Sequence, residues 1–140
     1  MKLPVLETER FVLRALTQED VTPKYASWLN PETARMGIAA AQKNQTLDDL
    51  RAFIQIREGN PNVAFFGIFT KSNLEHIGNV KFEPIDSLAK YAVVGVLIGE
   101  KNWWGKGVTG EVFRATARWL YSERGVREIV LGAVSYTHLR

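Results

Sequence analysis

A strand-to-helix junction decides the fold of this chain, and it reads GEKNWWGKGVTGE over residues 99–111. The apolar run Tyr91–Ile98 precedes it and is typical of a buried strand. After it, residues 111–124 place apolar side chains at helical spacing until Gly125 ends the pattern. The outward face of this predicted helix carries Glu111, Arg114, Arg118 and Ser122. Glycines leave the backbone accessible, and the first amides of a helix have no partner within it. The sequence therefore predicts an anion-binding turn at the start of a long helix.

Extended segments lie on both sides of this junction. Those before it are residues 63–70, 74–82 and 91–98, joined by turns at 71–73 and 84–89. Strands linked by such short turns pair antiparallel, so the sequence predicts a meander. Residues 127–134 return to an extended pattern after the helix. A strand, helix and strand in this order predict a parallel, right-handed crossover.

The N-terminal third supplies one strand and two helix starts. Residues 10–14 alternate between apolar and polar side chains, as a half-buried strand does. Thr17 is followed by acidic residues and predicts the start of a helix, which Pro23 limits or bends. Thr46 predicts the start of a second helix, which ends near Gly59.

Composition restricts the class of protein. The chain has 140 residues, 46% of them hydrophobic and 24% charged, which is typical of one folded domain and excludes a disordered polymer. It has no cysteine, which excludes disulfides and thiol nucleophiles, and its two histidines argue against a metal site. Apolar runs are too short to cross a membrane and no secretion signal is recognisable, so we expect a cytoplasmic protein without a membrane partner.

The positive charge of the chain is concentrated around the junction. The whole chain carries +3, whereas residues 101–127 alone carry six Lys or Arg against two Glu, which is +4. A local excess of cations suits a small polyanion better than a nucleic-acid duplex, which needs a longer basic stripe. The pI of 9.3 is in the range of nucleic-acid-binding domains. Because the charge is local, nucleic-acid binding is the weaker interpretation, and no nucleic-acid partner is predicted.

Known phosphate-binding motifs fit the junction poorly. Gly105, Gly107 and Gly110 form GxGxxG, the dinucleotide fingerprint. That motif directly follows its strand, however, whereas six residues separate Ile98 from Gly105, and no acid ends the next strand to hold a ribose. A Walker loop needs Ser or Thr after its lysine, and Gly107 stands there instead.

A set of motifs resembles one enzyme superfamily. They are LETERFVLR at residues 6–14, IGNV at 77–80, GVLIG at 95–99 and WWGKG at 103–107. Together with the order of elements, they resemble the GNAT superfamily of acyl-CoA N-acyltransferases, and within it the ribosomal-protein N-terminal acetyltransferase (RimJ/RimL) branch. The resemblance covers about residues 6–134. It implies an α/β fold with a mixed sheet, in which strands 1–4 are antiparallel and a crossover leads to a parallel strand 5.

The resemblance also implies a function and a site. The function is transfer of an acetyl group from acetyl-CoA, without a metal, to a protein N-terminus or a small-molecule amine. The alternative is an acyl-CoA or dinucleotide-binding domain without turnover. By resemblance, Leu97 and Ile98 pair with the pantetheine amides and Arg114 reaches a remaining phosphate. The residues that hold the pyrophosphate are Trp104, Gly105, Lys106, Gly107, Val108 and Thr109.

Catalytic residues are not predicted. The Glu that many relatives carry on the fourth strand would fall near Val93 or Val94, both apolar. Glu83 and Glu100 are the acids nearest the expected cleft, and surface acids at strand ends are usually only solvated. His76 is interpreted as an exposed or packed strand residue, while Trp28, Trp103 and Trp104 are candidates for the wall of a substrate channel.

The C-terminal end departs from the superfamily. Relatives continue beyond the fifth strand with a loop, a helix and two further strands, so we expect residues 1–134 to be an incomplete acetyltransferase domain. Residues 135–140, SYTHLR, match nothing in the superfamily and are interpreted as a tail of foreign origin. An unpaired edge of the sheet favours self-association, so a homo-oligomer is predicted.

Overall fold

The structure, a computed structural model, describes residues 3–29 and 46–131. Their strands and α-helices are, in chain order, β1 (Leu6–Glu7), β2 (Phe11–Ala15), α1 (Pro23–Ser27), α2 (Leu47–Arg57), β3 (Ala64–Thr70), β4 (His76–Asp86), β5 (Tyr91–Ile98), α3 (Val108–Arg124) and β6 (Glu128–Leu131). Single 3₁₀ turns lie at Gln18–Asp20 and Lys101–Trp103. No helix in these two ranges is long and apolar enough to cross a membrane.

All six strands form one sheet in the order β1-β2-β3-β4-β5-β6. Neighbours from β1 to β5 are antiparallel, and β6 pairs parallel with β5 after the crossover through α3. The predicted mixed sheet, with antiparallel strands followed by a parallel crossover, is therefore confirmed.

Apolar side chains cover both faces of the sheet. On one face, α3 packs through Val112 and Leu120 against Phe66, and all three are fully buried. On the other face, α1 and α2 pack through residues such as Tyr25 and Leu50. Because layers lie on both sides, β3 is buried at every position, which explains its continuous apolar sequence.

Strand β4 is longer than predicted and is displaced towards the C-terminus. It occupies His76–Asp86 rather than residues 74–82, and Leu74 lies in the preceding turn with a φ of 57°. A register shift between Phe82 and Ile85 carries the strand past Pro84, which has no N–H to donate. Proline at 84 therefore marks an irregularity within the strand and not the turn that the sequence predicted.

Two helix starts also differ from the sequence prediction. The segment after Thr17 forms only a 3₁₀ turn, and α1 begins at Pro23, because the Thr22 hydroxyl accepts the Tyr25 N–H and caps the helix there. The long helix begins at Val108 rather than at residue 111, directly after Gly107. Predicted strand residues 132–134 and the predicted tail at 135–140 lie outside the described residues.

Candidate functional site

The C-terminal half of β5 has an open main-chain edge in the described part of the chain. The Gly99 N–H donates to the Ile77 oxygen at 2.9 Å, so alternation along the antiparallel pair directs the polar groups of Leu97 towards β4. The polar groups of Val96 and Ile98 then point to the opposite side, where β6 lies. Within residues 3–29 and 46–131, β6 pairs with β5 only as far as Val94, so the main chain of Val96 lies beyond this pairing.

The chain turns back after β5 and is held against that strand. The Trp104 indole N–H donates to the Ile98 oxygen at 2.6 Å. Trp103 meets the Phe11 ring edge to face, with 5.2 Å between ring centroids. These contacts make Trp103 and Trp104 structural supports of the junction.

The backbone of the junction leaves its amides available. Gly105 and Gly107 have φ angles of 72° and 77°, in the left-handed region that favours glycine. Gly107 is the N-cap of α3 and supplies no capping side chain. The N–H groups of residues 105–110 find no acceptor among the described residues. The first turn of α3 therefore presents unpaired donors, together with the positive end of the helix dipole.

Positive side chains lie on the junction and along α3. Lys101, Lys106, Arg114 and Arg118 are all exposed. None of them forms an ion pair within the described residues. The local positive field predicted from the sequence is therefore not neutralised by the residues that the structure describes, and it borders the N-terminus of α3.

Glu111 is not the outward, solvated residue that the helical pattern predicted. Its carboxylate accepts the Thr8 hydroxyl at 2.6 Å, the Arg10 N–H at 2.9 Å and Arg10 Nε at 2.7 Å. Burial alone would raise the pKa of this carboxyl, but the hydrogen bonds from Thr8 and Arg10 outweigh it and lower the pKa. Sequence reasoning did not assign Thr8 and Arg10 to the site, although both belong to the LETERFVLR motif.

A second group of side chains lies at the end of β5 towards α1. The Trp28 indole N–H donates to Glu100 Oε2 at 2.7 Å, and the Trp28 ring packs against Gly99. His76 contacts the Trp28 ring, and its Nε2 lies 2.8 Å from Asn79 Oδ1. Burial lowers the pKa of His76, which therefore is a packed, neutral strand residue at pH 7.

The two candidate acids differ in their surroundings. Glu83 binds Arg57 at 2.9 Å and Lys81 at 3.4 Å. Burial raises its pKa, but these two cations outweigh burial and lower it. Glu100 has no cationic partner among the described residues and is held by the Trp28 indole. Of the two residues near the position expected for an acid, Val94 is buried and Val93 is half-buried.

Comparison with known proteins gives the family of this fold and junction. Residues 10–135 match the family model described as an acetyltransferase (GNAT) domain. Since the match covers most of the chain, this protein belongs to the GNAT acetyltransferase family, and the predicted enzyme class, N-acetyltransferase, is confirmed.

Particular relatives agree with this assignment. The chain is 26% identical over 136 residues to the uncharacterized N-acetyltransferase YoaA of Bacillus subtilis, covering 96% of this chain and 75% of YoaA. A structure of RimL, a ribosomal L7/L12 alpha-N-protein acetyltransferase in complex with coenzyme A, superposes with a TM-score of 0.79 at 17% identity, over 91% of this chain and 73% of that one. The microcin C7 self-immunity acetyltransferase MccE, in complex with acetyl-CoA and AMP, gives 0.72 at 21% identity, over 88% and 69%.

Proposed function

We propose that this protein transfers the acetyl group of acetyl-CoA to a primary amine. One observation carries the proposal: the unpaired amides of residues 105–110 lie beside the free charge of Lys106, where the chain leaves β5. A helix end contributes only about 0.3–1 kcal/mol to an exposed anion, so a diphosphate needs several amides and a cation together. The RimL and MccE structures, which contain coenzyme A and acetyl-CoA, agree with this ligand.

The proposed coenzyme site extends from the junction along β5. The diphosphate lies along the junction from Trp104 to Thr109, with Gly105 and Gly107 giving it close access and Lys106 neutralising it. Its main-chain donors are the amides from Gly105 onwards, since the Trp104 N–H donates to the Lys101 oxygen at 3.1 Å. Pantetheine follows the open edge of β5, where the Ile98 N–H faces it. Val96 joins this edge because its polar groups point the same way. Leu97 contributes its side chain, since its main chain faces β4.

Transfer requires a polarised thioester, a neutral amine and a proton for the sulfur. An incoming ammonium first loses one proton to water. The neutral amine nitrogen then attacks the thioester carbon, the C–N bond forms and the C–S bond breaks, and the proton that the nitrogen gives up on becoming an amide balances the proton that the leaving thiolate takes up. A main-chain N–H on the open edge of β5 stabilises the oxyanion. Of the two candidate acids, Glu100 is better suited to bind the incoming ammonium, because Arg57 and Lys81 already neutralise Glu83.

The acceptor is an amine of a protein N-terminus or of a small molecule. RimL is described as an alpha-N-protein acetyltransferase, which favours a protein N-terminus, whereas the MccE structure contains AMP together with acetyl-CoA. Relatives of one fold thus differ in what they bind, so the acceptor class stays open between these two. A cytoplasmic location and self-association also stay predictions.

Coenzyme binding is tested by calorimetric titration with acetyl-CoA and, separately, with NAD. The protein is expected to bind acetyl-CoA and not NAD. Gly107→Glu is expected to abolish binding, because its carboxylate would meet the diphosphate. The matched control is Gly125→Glu, since Gly125 has a φ of 70°, close to the 77° of Gly107, but caps the other end of α3. Unchanged affinity in Gly107→Glu, or heat from NAD alone, would refute the proposed site.

Turnover is tested by release of free thiol from acetyl-CoA. A panel of peptides with free N-termini and of small primary amines is offered, and at least one is expected to raise thiol release above hydrolysis without an amine. Glu100→Gln is expected to raise KM for that amine while leaving acetyl-CoA affinity unchanged. Tight acetyl-CoA binding without turnover on any amine would favour the alternative, a binding domain without catalysis.

A further inference from the structure

The segment before β2 is tied to the junction by a compact polar network, which we call the Thr8–Arg10–Glu111 network. Glu111 receives hydrogen bonds from the Thr8 hydroxyl and from both the main chain and the guanidinium of Arg10. The same guanidinium donates through Nη2 to the Lys106 oxygen at 3.0 Å. Arg10 thus joins the first turn of α3 to the peptide that precedes Gly107.

The network also neutralises the Glu111 carboxylate, a negative charge that would oppose binding of a diphosphate. Glu111 lies in the first turn of α3, close to the amides proposed to bind a diphosphate. An unpaired carboxylate there would repel such a ligand. Arg10 neutralises it at 2.7 Å, and hydrogen bonds from Thr8 and from the Arg10 main chain direct the carboxylate away from solvent.

We propose that the Thr8–Arg10–Glu111 network is a positioning device, which orders the 106–107 backbone before acetyl-CoA binds so that the amides of the junction stay directed at the diphosphate. The inference rests on the proposed function, because it assigns a role to residues that support the same site. Thr8, Arg10 and Glu111 are positioning residues here, since they act through the loop and not on the reacting atoms.

A loop that contains several glycines has little of its own to hold its backbone in one conformation. Gly105 and Gly107 have open space around them, since a Cβ at Gly105 would meet nothing within 4 Å and one at Gly107 only Arg10 Nη2 at 3.9 Å. Glycine also has more backbone conformations than other residues and loses more entropy when it is fixed. A loop that is ordered in advance spares the ligand that loss.

The test uses Arg10→Ala and Glu111→Gln, with coenzyme A as the titrant. Both substitutions are expected to raise its dissociation constant by about tenfold, because each releases the loop. A role in net charge alone predicts opposite signs: Arg10→Ala would weaken binding and Glu111→Gln would strengthen it. Arg10→Lys is expected to resemble Arg10→Ala, since an ammonium does not reproduce the geometry of a guanidinium that joins Glu111 and the Lys106 oxygen.

The fold offers a matched control in Asp20→Asn. Arg14 lies in β2, close to Arg10 in the chain, and the side chains of the Arg14–Asp20 pair are 37% and 12% exposed, as are those of Arg10 and Glu111. Asp20 likewise accepts a neighbouring threonine hydroxyl and a main-chain N–H, both from Thr17. Asp20→Asn is expected to lower the unfolding midpoint as much as Glu111→Gln does, with coenzyme A affinity unchanged.

A second readout separates this inference from the proposed function. In the protein without ligand, ¹⁵N relaxation is expected to give rigid amides at Lys106 and Gly107, with order parameters of about 0.85 that fall below about 0.6 in Glu111→Gln. If the wild-type protein binds no coenzyme A, the proposed function fails whatever the relaxation shows. If it binds, but Glu111→Gln leaves both affinity and order parameters unchanged, or changes them no more than Asp20→Asn does, the positioning role is refuted.

Discussion

At the scale of single residues, Gly95 and Gly99 differ in how much space a side chain would have. A Cβ on Gly99 would overlap the Trp28 ring, so only glycine permits this packing. A Cβ on Gly95 would meet no atom within 4 Å. The sequence motif GVLIG does not distinguish these two positions, because the difference depends on a side chain 71 positions away from Gly99 along the chain.

This difference predicts unequal costs of alanine at the two positions. Gly99→Ala displaces the Trp28 ring and is expected to lower the free energy of unfolding by about 1–3 kcal/mol. Gly95→Ala is expected to be neutral or to raise it by up to about 1 kcal/mol, since alanine restricts the unfolded chain. Urea unfolding of both variants measures this. Equal losses would show that Trp28 does not pack as described.

At the scale of elements, the start of α2 is determined by residues that are neighbours in the sequence. Thr46 is predicted to start a helix, and α2 does begin directly after it with a reciprocal cap. The Thr46 hydroxyl accepts the Asp49 N–H at 3.0 Å, and Asp49 Oδ2 accepts the Thr46 N–H at 3.0 Å. Only four residues are involved, so the sequence contains all that this cap requires.

Removing the cap is expected to destabilise α2 and, through it, the fold. Thr46→Ala leaves the Asp49 N–H without its acceptor and is expected to lower the free energy of unfolding by about 1 kcal/mol. Thr46→Ser keeps the hydroxyl and is expected to stay within about 0.5 kcal/mol of the wild type. Chemical unfolding measures both. A serine variant as unstable as the alanine variant would contradict the cap.

At the scale of the whole molecule, His76 lies where α1 meets the sheet. Its ring contacts Tyr25 and Trp28 of the α1 segment and stacks on Phe69 of β3. Burial lowers its pKa, Asn79 and Asp20 act in the opposite direction, and Lys24 adds to the lowering. Burial also raises the pKa of Tyr25 to about 12. This contact between layers is therefore formed by neutral groups at pH 7.

The lowered pKa of His76 makes global stability depend on pH. The unfolded chain takes up a proton at His76 near pH 6.5, before the folded protein does, so stability is expected to fall as pH drops from 7 to 5. Asp20, Glu83 and Glu111 have lowered pKa values, and their contributions are lost only below about pH 4.3.

His76→Gln tests the assignment, because glutamine keeps a polar side chain without a titrating group. The variant is expected to lose the dependence between pH 7 and 5 while keeping the loss in stronger acid. Thermal unfolding midpoints measured at half-unit steps of pH provide the comparison. An unchanged slope between pH 7 and 5 in the variant would assign the effect to another group.

The proposed site was predictable in part, for reasons of distance along the chain. Residues 99–111 are contiguous, so their glycines, their lysine and the following helix could be recognised together. Glu111 could not be assigned to this site from periodicity alone, because its partners Thr8 and Arg10 lie about a hundred positions earlier. The helical pattern predicted that Glu111 faces solvent, whereas in the structure Glu111 binds Arg10 of the segment before β2.

Part of the local structure followed from the amino-acid sequence alone: the alternation in β2, the Thr46 cap of α2, the end of α3 at Gly125 and the glycine-rich turn. These features depend on neighbours within a few residues, whose sterics and hydrogen bonds do not need the rest of the fold. The packed sheet was needed to establish how strand β4 passes Pro84, how Trp28 covers Gly99 and how Arg10 binds Glu111. Those outcomes depend on which distant segments come together, because burial and ion pairing act through space and not along the chain.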